Sequence, residues 1–275
     1  MLTIPYWHVD AFAARPFGGN QAAVMVLDEW LPDNVLVQIG AENLFAETAF
    51  VVRDATGEAD WELRWCTPTY EIALCGHATL ASGHVLLERA NGFGGGERVT
   101  FRTRKAGILE VRRAGEGYEV GLPALVTAPG SSDEAAPLMG GHPIAIYRPQ
   151  GAEIRYHIFL YATEAEVRAL DPQLRALGAL GNDQFIATAP GDPGSGYDCV
   201  SRVFVPGGGV DEDSVTGSAH SLLTPFWVER LGRNNLRAHQ ASTRGGDLTL
   251  RLDGDRAWLG GPCVTVVEGR FYLSG

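Results

Sequence analysis

Apolar and polar residues alternate over several short stretches of this 275-residue chain, which is the two-residue period of a half-buried strand. In WELRWCT (61–67) the alternation puts Trp61, Leu63 and Trp65 on one face. ERVTFRTR, GYEVGL, YHIFLYA, DLTLRL and RFYL are patterned alike or strand-like. Gly-rich turns such as GFGGGE, AGEG and RLDGD punctuate them. Helical spacing is rarer. Pro32 opens a predicted helix through Asn43, with Val35 and Ile39 one turn apart. Thr163 and Glu166 have capping-box spacing ahead of Val167, Leu170, Leu174 and Leu177. Strands outnumber helices and short turns join neighbouring strands. The fold class is therefore α+β with antiparallel sheet rather than a doubly wound parallel sheet.

Two further helices break the amphipathic pattern. Ala78–Arg89 and Ala219–Leu231 lack a consistently polar face, as expected of helices buried all round. Pro225 is expected to kink the second. Each follows a similar segment. RWCTPTYEIALCGHATL (64–80) and RVFVPGGGVDEDSVTGSAHSL (202–222) both run Arg, then Pro four residues on, then a loop, then Gly-x-Ala. The second loop is three residues longer. A buried helix that starts at a glycine leaves first-turn N–H groups unpaired, with the positive end of the helix dipole behind them. Gly76-His77 and Gly217-Ser218 are therefore candidate anion-binding amides. The plainer alternative makes His77 and Ser218 ordinary N-caps.

Composition narrows the function. A net charge of −11 and a pI near 5.1 argue against nucleic acid, whose phosphates need clustered Lys and Arg. No long apolar run suits a membrane span, and MLTIPYWHVDAF lacks the layout of a secretory signal. Cys66, Cys75, Cys199 and Cys263 have no C-x-x-C spacing, so neither a zinc site nor a disulfide framework is expected, and the compartment reads as cytoplasmic. Lys105 is the sole lysine, which leaves Schiff-base chemistry one candidate outside every motif. The Pro-, Gly-, Ser- and Ala-rich stretch 123–143 reads as a linker between an N-terminal lobe (1–122) and a C-terminal lobe (144–275).

Four segments, VDAFAARPFGGNQAAV (9–24), AENLFAETAFVV (41–52), LRWCTPTYEIALCGHATLASGHVL (63–86) and YDCVSRVFVPGGGVDEDSVTGSAHSLLTPFWVERLG (197–232), resemble the phenazine-biosynthesis PhzF-like family. The resemblance spans essentially the whole chain. It implies the diaminopimelate epimerase-like fold: two pseudo-symmetric lobes, each a curved antiparallel sheet around a central helix, with the active site in the cleft between them. It also implies that residues from about 264 to 275 cross back to the first lobe, and that the assembly is a homodimer. The enzyme that names the family isomerises a dihydro-hydroxyanthranilate by moving a proton, without a cofactor. The resemblance places a base on Glu47, with His77 and Asp213 as further catalytic groups. It places substrate-anion binding on the amides of Gly76, His77, Gly217 and Ser218. Asn20 and Gln21 follow a Gly-Gly turn and could line the cleft, with Trp7, His8 and Asp10 behind them. No metal and no cofactor are expected, and the partner is a small carboxylate. One departure is Ser214, where many relatives carry Pro.

Two alternatives stay open. Epimerases of this fold use two cysteines, one before each glycine. Here those positions are Cys75 and Thr216, so only a single-thiol racemase or dehydratase is available. The other alternative is a non-catalytic small-molecule-binding protein on the same fold.

Overall fold

A computed structural model describes residues 1–88, 91–149 and 155–274. Its contacts group into two units, 1–122 with 260–275, and 123–259.

In the first unit, β1 (Leu2–Ala11) pairs antiparallel with β2 (Asn20–Val26) on one side and with β18 (Cys263–Leu273) on the other. Helix α1 (Asp33–Asn43) buries Leu36, Ile39 and Gly40, and leads into β3 (Glu47–Arg53), which lies parallel to β2. β4 (Trp61–Cys66) follows antiparallel, and turns at Pro68 into the two-residue β5 (Glu71–Ile72). The alternation of β4 buries Trp61, Leu63 and Trp65, but Arg64 and Cys66 on its other face are buried too. Helix α2 (Gly76–Leu87) is buried at every residue. It packs against β1, β2, β3, β18, β6 (Arg98–Thr103) and β7 (Ile108–Ala114), which explains its apolar composition. Gly83 permits the closest approach: a Cβ there would come 2.3 Å from Val111 Cγ1. β8 (Gly117–Pro123) completes an antiparallel β6–β7–β8 meander.

The second unit repeats this plan. β11 (Tyr156–Leu160) and β12 (Gln184–Pro190) are parallel, separated by the short α4 (Glu164–Arg168) and α5 (Leu174–Gly178). Thr163 and Glu166 form the expected capping box. β13 (Cys199–Val205) is antiparallel to β12 and to β14 (Val210–Asp213). Helix α6 (Gly217–Leu231) follows, and β15 (Asn235–Gln240) then lies parallel to β13, as β6 does to β4. β16 (Gly246–Asp253) and β17 (Arg256–Gly261) end the unit. Antiparallel pairing dominates, yet β2/β3, β4/β6, β11/β12 and β13/β15 are parallel. Each such pair is joined through helix-bearing chain, the length of connection that a parallel pair needs. The sheets are thus mixed where antiparallel sheet was expected, within an α+β fold.

Residues 123–143 are more than a linker. They carry β9 (Thr127–Pro129), which pairs with β10 (Ala145–Pro149), and α3 (Ala136–Met139). Ala135 and Met139 are buried in the core of the second unit, beside Phe159, Tyr161 and Leu177. Composition concealed this because two apolar anchors suffice to dock so short a segment. Pro225 lies inside α6 without ending it: the Ser221 carbonyl, which a proline four residues on cannot use, accepts the N–H of Leu125 at 3.4 Å. Of the expected elements, the end of the first buried helix at Arg89 lies outside the described residues, as does Gly275. Among the described residues no helix is long and apolar enough to cross a membrane.

Candidate active site

In the first unit the parallel strands β2 and β3 begin side by side, with Ala22 opposite Glu47 in the register. This brings Asn20 and Glu47, the first residues of their strands, to the start of α2. His77 is the second residue of that helix, not its cap; the N-cap is Cys75, in extended conformation and without a side-chain cap bond. The imidazole is buried, 3% exposed for the residue as a whole. Its Nδ1 lies 3.0 Å from the Asn20 amide nitrogen and 3.6 Å from Cys75 Sγ. Its Nε2 lies 3.2 Å from Glu47 Oε2, an ion-pair distance. That contact is not aligned as a hydrogen bond, so the buried Oε2 keeps lone-pair capacity for another proton.

Burial alone would lower the pKa of His77, but the Cys75 sulfur and the Glu47 carboxylate outweigh it and hold the imidazole well above 6.5. At neutral pH the operative charge is that of Glu47, because burial pushes the Cys75 thiol up to about 11. One donor atom each of Glu47, Cys75 and His77 lies within 4.8 Å of the others, close enough to share a divalent ion. Such an ion would have to displace protons from both the thiol and the imidazole.

In the second unit the N-cap of α6 is Thr216, and Ser218, like His77, is the second helical residue. The Thr216 hydroxyl donates to Asp213 Oδ2 at 2.5 Å. Gln240, fully buried, ties the segment together. Its Oε1 accepts the Thr216 N–H at 2.8 Å, and its Nε2 donates to the Asp213 carbonyl at 2.6 Å. The Ser218 hydroxyl donates to Gln184 Oε1 at 3.2 Å. The carbonyl of Ser214 accepts the Ser242 hydroxyl at 2.8 Å, which anchors the loop.

The structure thus gathers Glu47, His77, Asn20 and Gly76 in one unit, and Asp213, Gly217 and Ser218 in the other. Asn20 engages His77 directly. The more distant candidates are engaged too: Gln21 Nε2 contacts His8 Nε2 at 3.1 Å, and Asp10 accepts the Phe17 N–H at 2.9 Å. Trp7 is buried beside Phe93. Sequence reasoning missed Gln240 and Gln184. Gln240 opens the QASTRGG segment, but no spacing marks a glutamine as the partner of an amide 24 residues earlier.

An uncharacterized isomerase of Pseudomonas aeruginosa is 44% identical over 99% of this chain and 100% of its own length. The crystal structure of a PhzF-family phenazine biosynthesis protein from Enterococcus faecalis matches with a TM-score of 0.88 at 37% identity, over 99% of this chain and 100% of that one. A hydroxyproline epimerase from Agrobacterium vitis shares the fold, with a TM-score of 0.63 at 12% identity over 98% of this chain and 92% of that one. Residues 9–269 match the phenazine biosynthesis-like (PhzC-PhzF) family, and the chain belongs to that family.

Proposed function

We propose that this protein is a cofactor-independent isomerase that shifts a proton on a small carboxylate-bearing metabolite, with Glu47 as the base. The observation that carries the reading is the Glu47–His77 pair at 3.2 Å, set at the start of a fully buried helix. A proton shift needs a base, stabilisation of the charge left on the substrate, and an acid to return the proton. His77, charged, faces Glu47 Oε2 and aims the carboxylate. Glu47 takes the proton from carbon and, as the neutral acid, returns it to a second carbon. First-turn amides at Gly76 and His77, and at Gly217 and Ser218, have no intrahelical acceptor and suit the substrate's carboxylate or enolate oxygen. Asp213, fixed by Thr216, is the second acid–base group of the reading.

A panel of small cyclic and acyclic carboxylates incubated with the protein in heavy water tests this by mass spectrometry. Deuterium uptake with the wild type should fall at least about a hundredfold in Glu47→Gln, the contribution usual for a positioned general base. Equal exchange by both proteins would remove Glu47 from the role. The single-thiol reading is disfavoured because a thiol with its pKa near 11 holds little thiolate at neutral pH.

A further inference from the structure

We propose that Ser132, His157 and Asp183 of the second unit form a separate nucleophilic site that acylates on small esters and hydrolyses them.

None of the three belongs to the segments that carry the family resemblance; tertiary structure alone assembles them. Ser132 sits in the turn before α3, where its carbonyl accepts the N–H groups of Ala135 and Ala136. His157 lies on β11, and Asp183 immediately precedes β12. The parallel register sets Tyr156 opposite Gln184 and His157 opposite Phe185, and the Asp183 carboxylate reaches across to His157. All three residues are more than nine-tenths buried. Ser132 Oγ is 2.7 Å from His157 Nδ1, and His157 Nε2 is 3.1 Å from Asp183 Oδ2.

The polarity of this chain is determined. Asp183 Oδ2 can only accept, so Nε2 carries the ring proton and Nδ1 presents a lone pair to the Ser132 O–H. Burial, with the charge of Arg148 adding to it, lowers the pKa of His157 and keeps the ring neutral, the form a base needs. The ring is stacked on Phe159 and tilted against Phe185, which fixes its plane. Arg155 holds Asp183 from behind, Nε to Oδ1 at 2.9 Å. This is the nucleophile–base–orienter order of a serine triad, with the two ring nitrogens exchanged.

Two further features exceed what polar satisfaction of a buried network requires. Ser132 and His157 line a cavity of about 300 Å³, room for a small acyl group. Arg148 lines the same cavity, so a guanidinium borders the space in which a tetrahedral oxyanion would form.

The chemistry balances without a further reactant except water. Ser132 Oγ attacks the ester carbonyl as its proton passes to His157 Nδ1. The tetrahedral adduct collapses, and the departing alkoxide takes that proton as the alcohol. Water then attacks the acyl-serine, again through His157, releasing the acid and restoring Ser132.

The test treats the full-length protein with diisopropyl fluorophosphate and maps adducts by mass spectrometry, with p-nitrophenyl acetate hydrolysis measured alongside. One adduct on Ser132 is expected, absent in Ser132→Ala and formed about a hundredfold more slowly in His157→Gln. Ester hydrolysis should fall in parallel. The absence of an adduct on Ser132 of the wild type, which no folding defect can explain, would overturn the proposal. Labelling of Ser132 at an unchanged rate in a folded His157→Gln would overturn it too.

Discussion

The two buried helices start from matching scaffolds. In the first unit Arg64 on β4 grips Glu71 on β5, seven residues on; in the second, Arg202 on β13 grips Glu212 on β14, ten residues on. The difference is the longer second loop, so the hairpins superimpose in logic although their loops do not align. Beyond the hairpins the chemistry diverges. At α2, His77 faces a carboxylate and is held protonated. At α6, His220 is also fully buried, but its Nδ1 donates to the Thr216 carbonyl and its Nε2 lies 3.3 Å from the Ser201 hydroxyl. Burial drives its pKa down to about 4. The two histidines stand at different positions, second in α2 and fourth in α6, and one is charged where the other is neutral. The frame supplies the helix start; the groups around it decide what the start can do.

Breaking the scaffold should give the largest effects. Arg64 is 3% exposed and serves both Glu71 and Asp33, so Arg64→Ala empties a buried site and leaves both carboxylates to the more exposed Arg104 alone. A loss of about 3 kcal/mol in urea unfolding is expected. Arg202→Ala should cost about half as much, because Arg202 and Glu212 are both more exposed than Arg64. Equal losses would mean that the two hairpins are energetically equivalent despite their different burial.

The histidines give opposite pH limbs. His220 has a depressed folded pKa, so its contribution is complete above pH 6.5 and is lost as pH falls towards about 4, a loss of roughly 3 kcal/mol. His77 has a raised folded pKa, so its contribution is complete below about 6.5 and disappears as pH rises through the folded value. His220→Asn should flatten the acid limb and His77→Gln the alkaline one. His84 and His157 shift in the same direction as His220, so the difference between variant and wild type is the readout. NMR titration in which both rings change charge near 6.5 would refute the contrast.

Gln240→Leu sharpens the comparison at the second start. It strands the Thr216 N–H and the Asp213 carbonyl, at about 2 kcal/mol. The smallest effect belongs to Cys75→Ser. Turnover should stay within about twofold, and iodoacetamide at pH 7 should not inactivate the wild type, because the thiol titrates near 11. Inactivation by iodoacetamide that Cys75→Ser abolishes would restore the thiol mechanism.

Much of the fold was legible locally. β4 was readable from Trp61, Leu63 and Trp65, α4 from the Thr163–Glu166 box, and both buried helices from their missing polar face. The segment 123–143 was not, because its turn-forming residues outnumber the apolar anchors Ala135 and Met139 that dock it. At the site, the glycine-led helix starts and Glu47 were visible through motif and resemblance. The contact of Asn20 with His77 spans 57 residues, and nothing local encodes it.

By itself the sequence determined the α+β class, the Arg-hairpin-helix repeat and the family, and it offered Glu47, His77 and Asp213 as candidates. Only the tertiary structure decided the state of each group: His77 charged, His220 neutral, Cys75 a protonated thiol, and Ser132 joined to a histidine 25 residues away. The reason is physical. Propensity and periodicity act over a few residues, whereas a proton's affinity is set by the water removed and the charges brought near, and both come from distant parts of the chain.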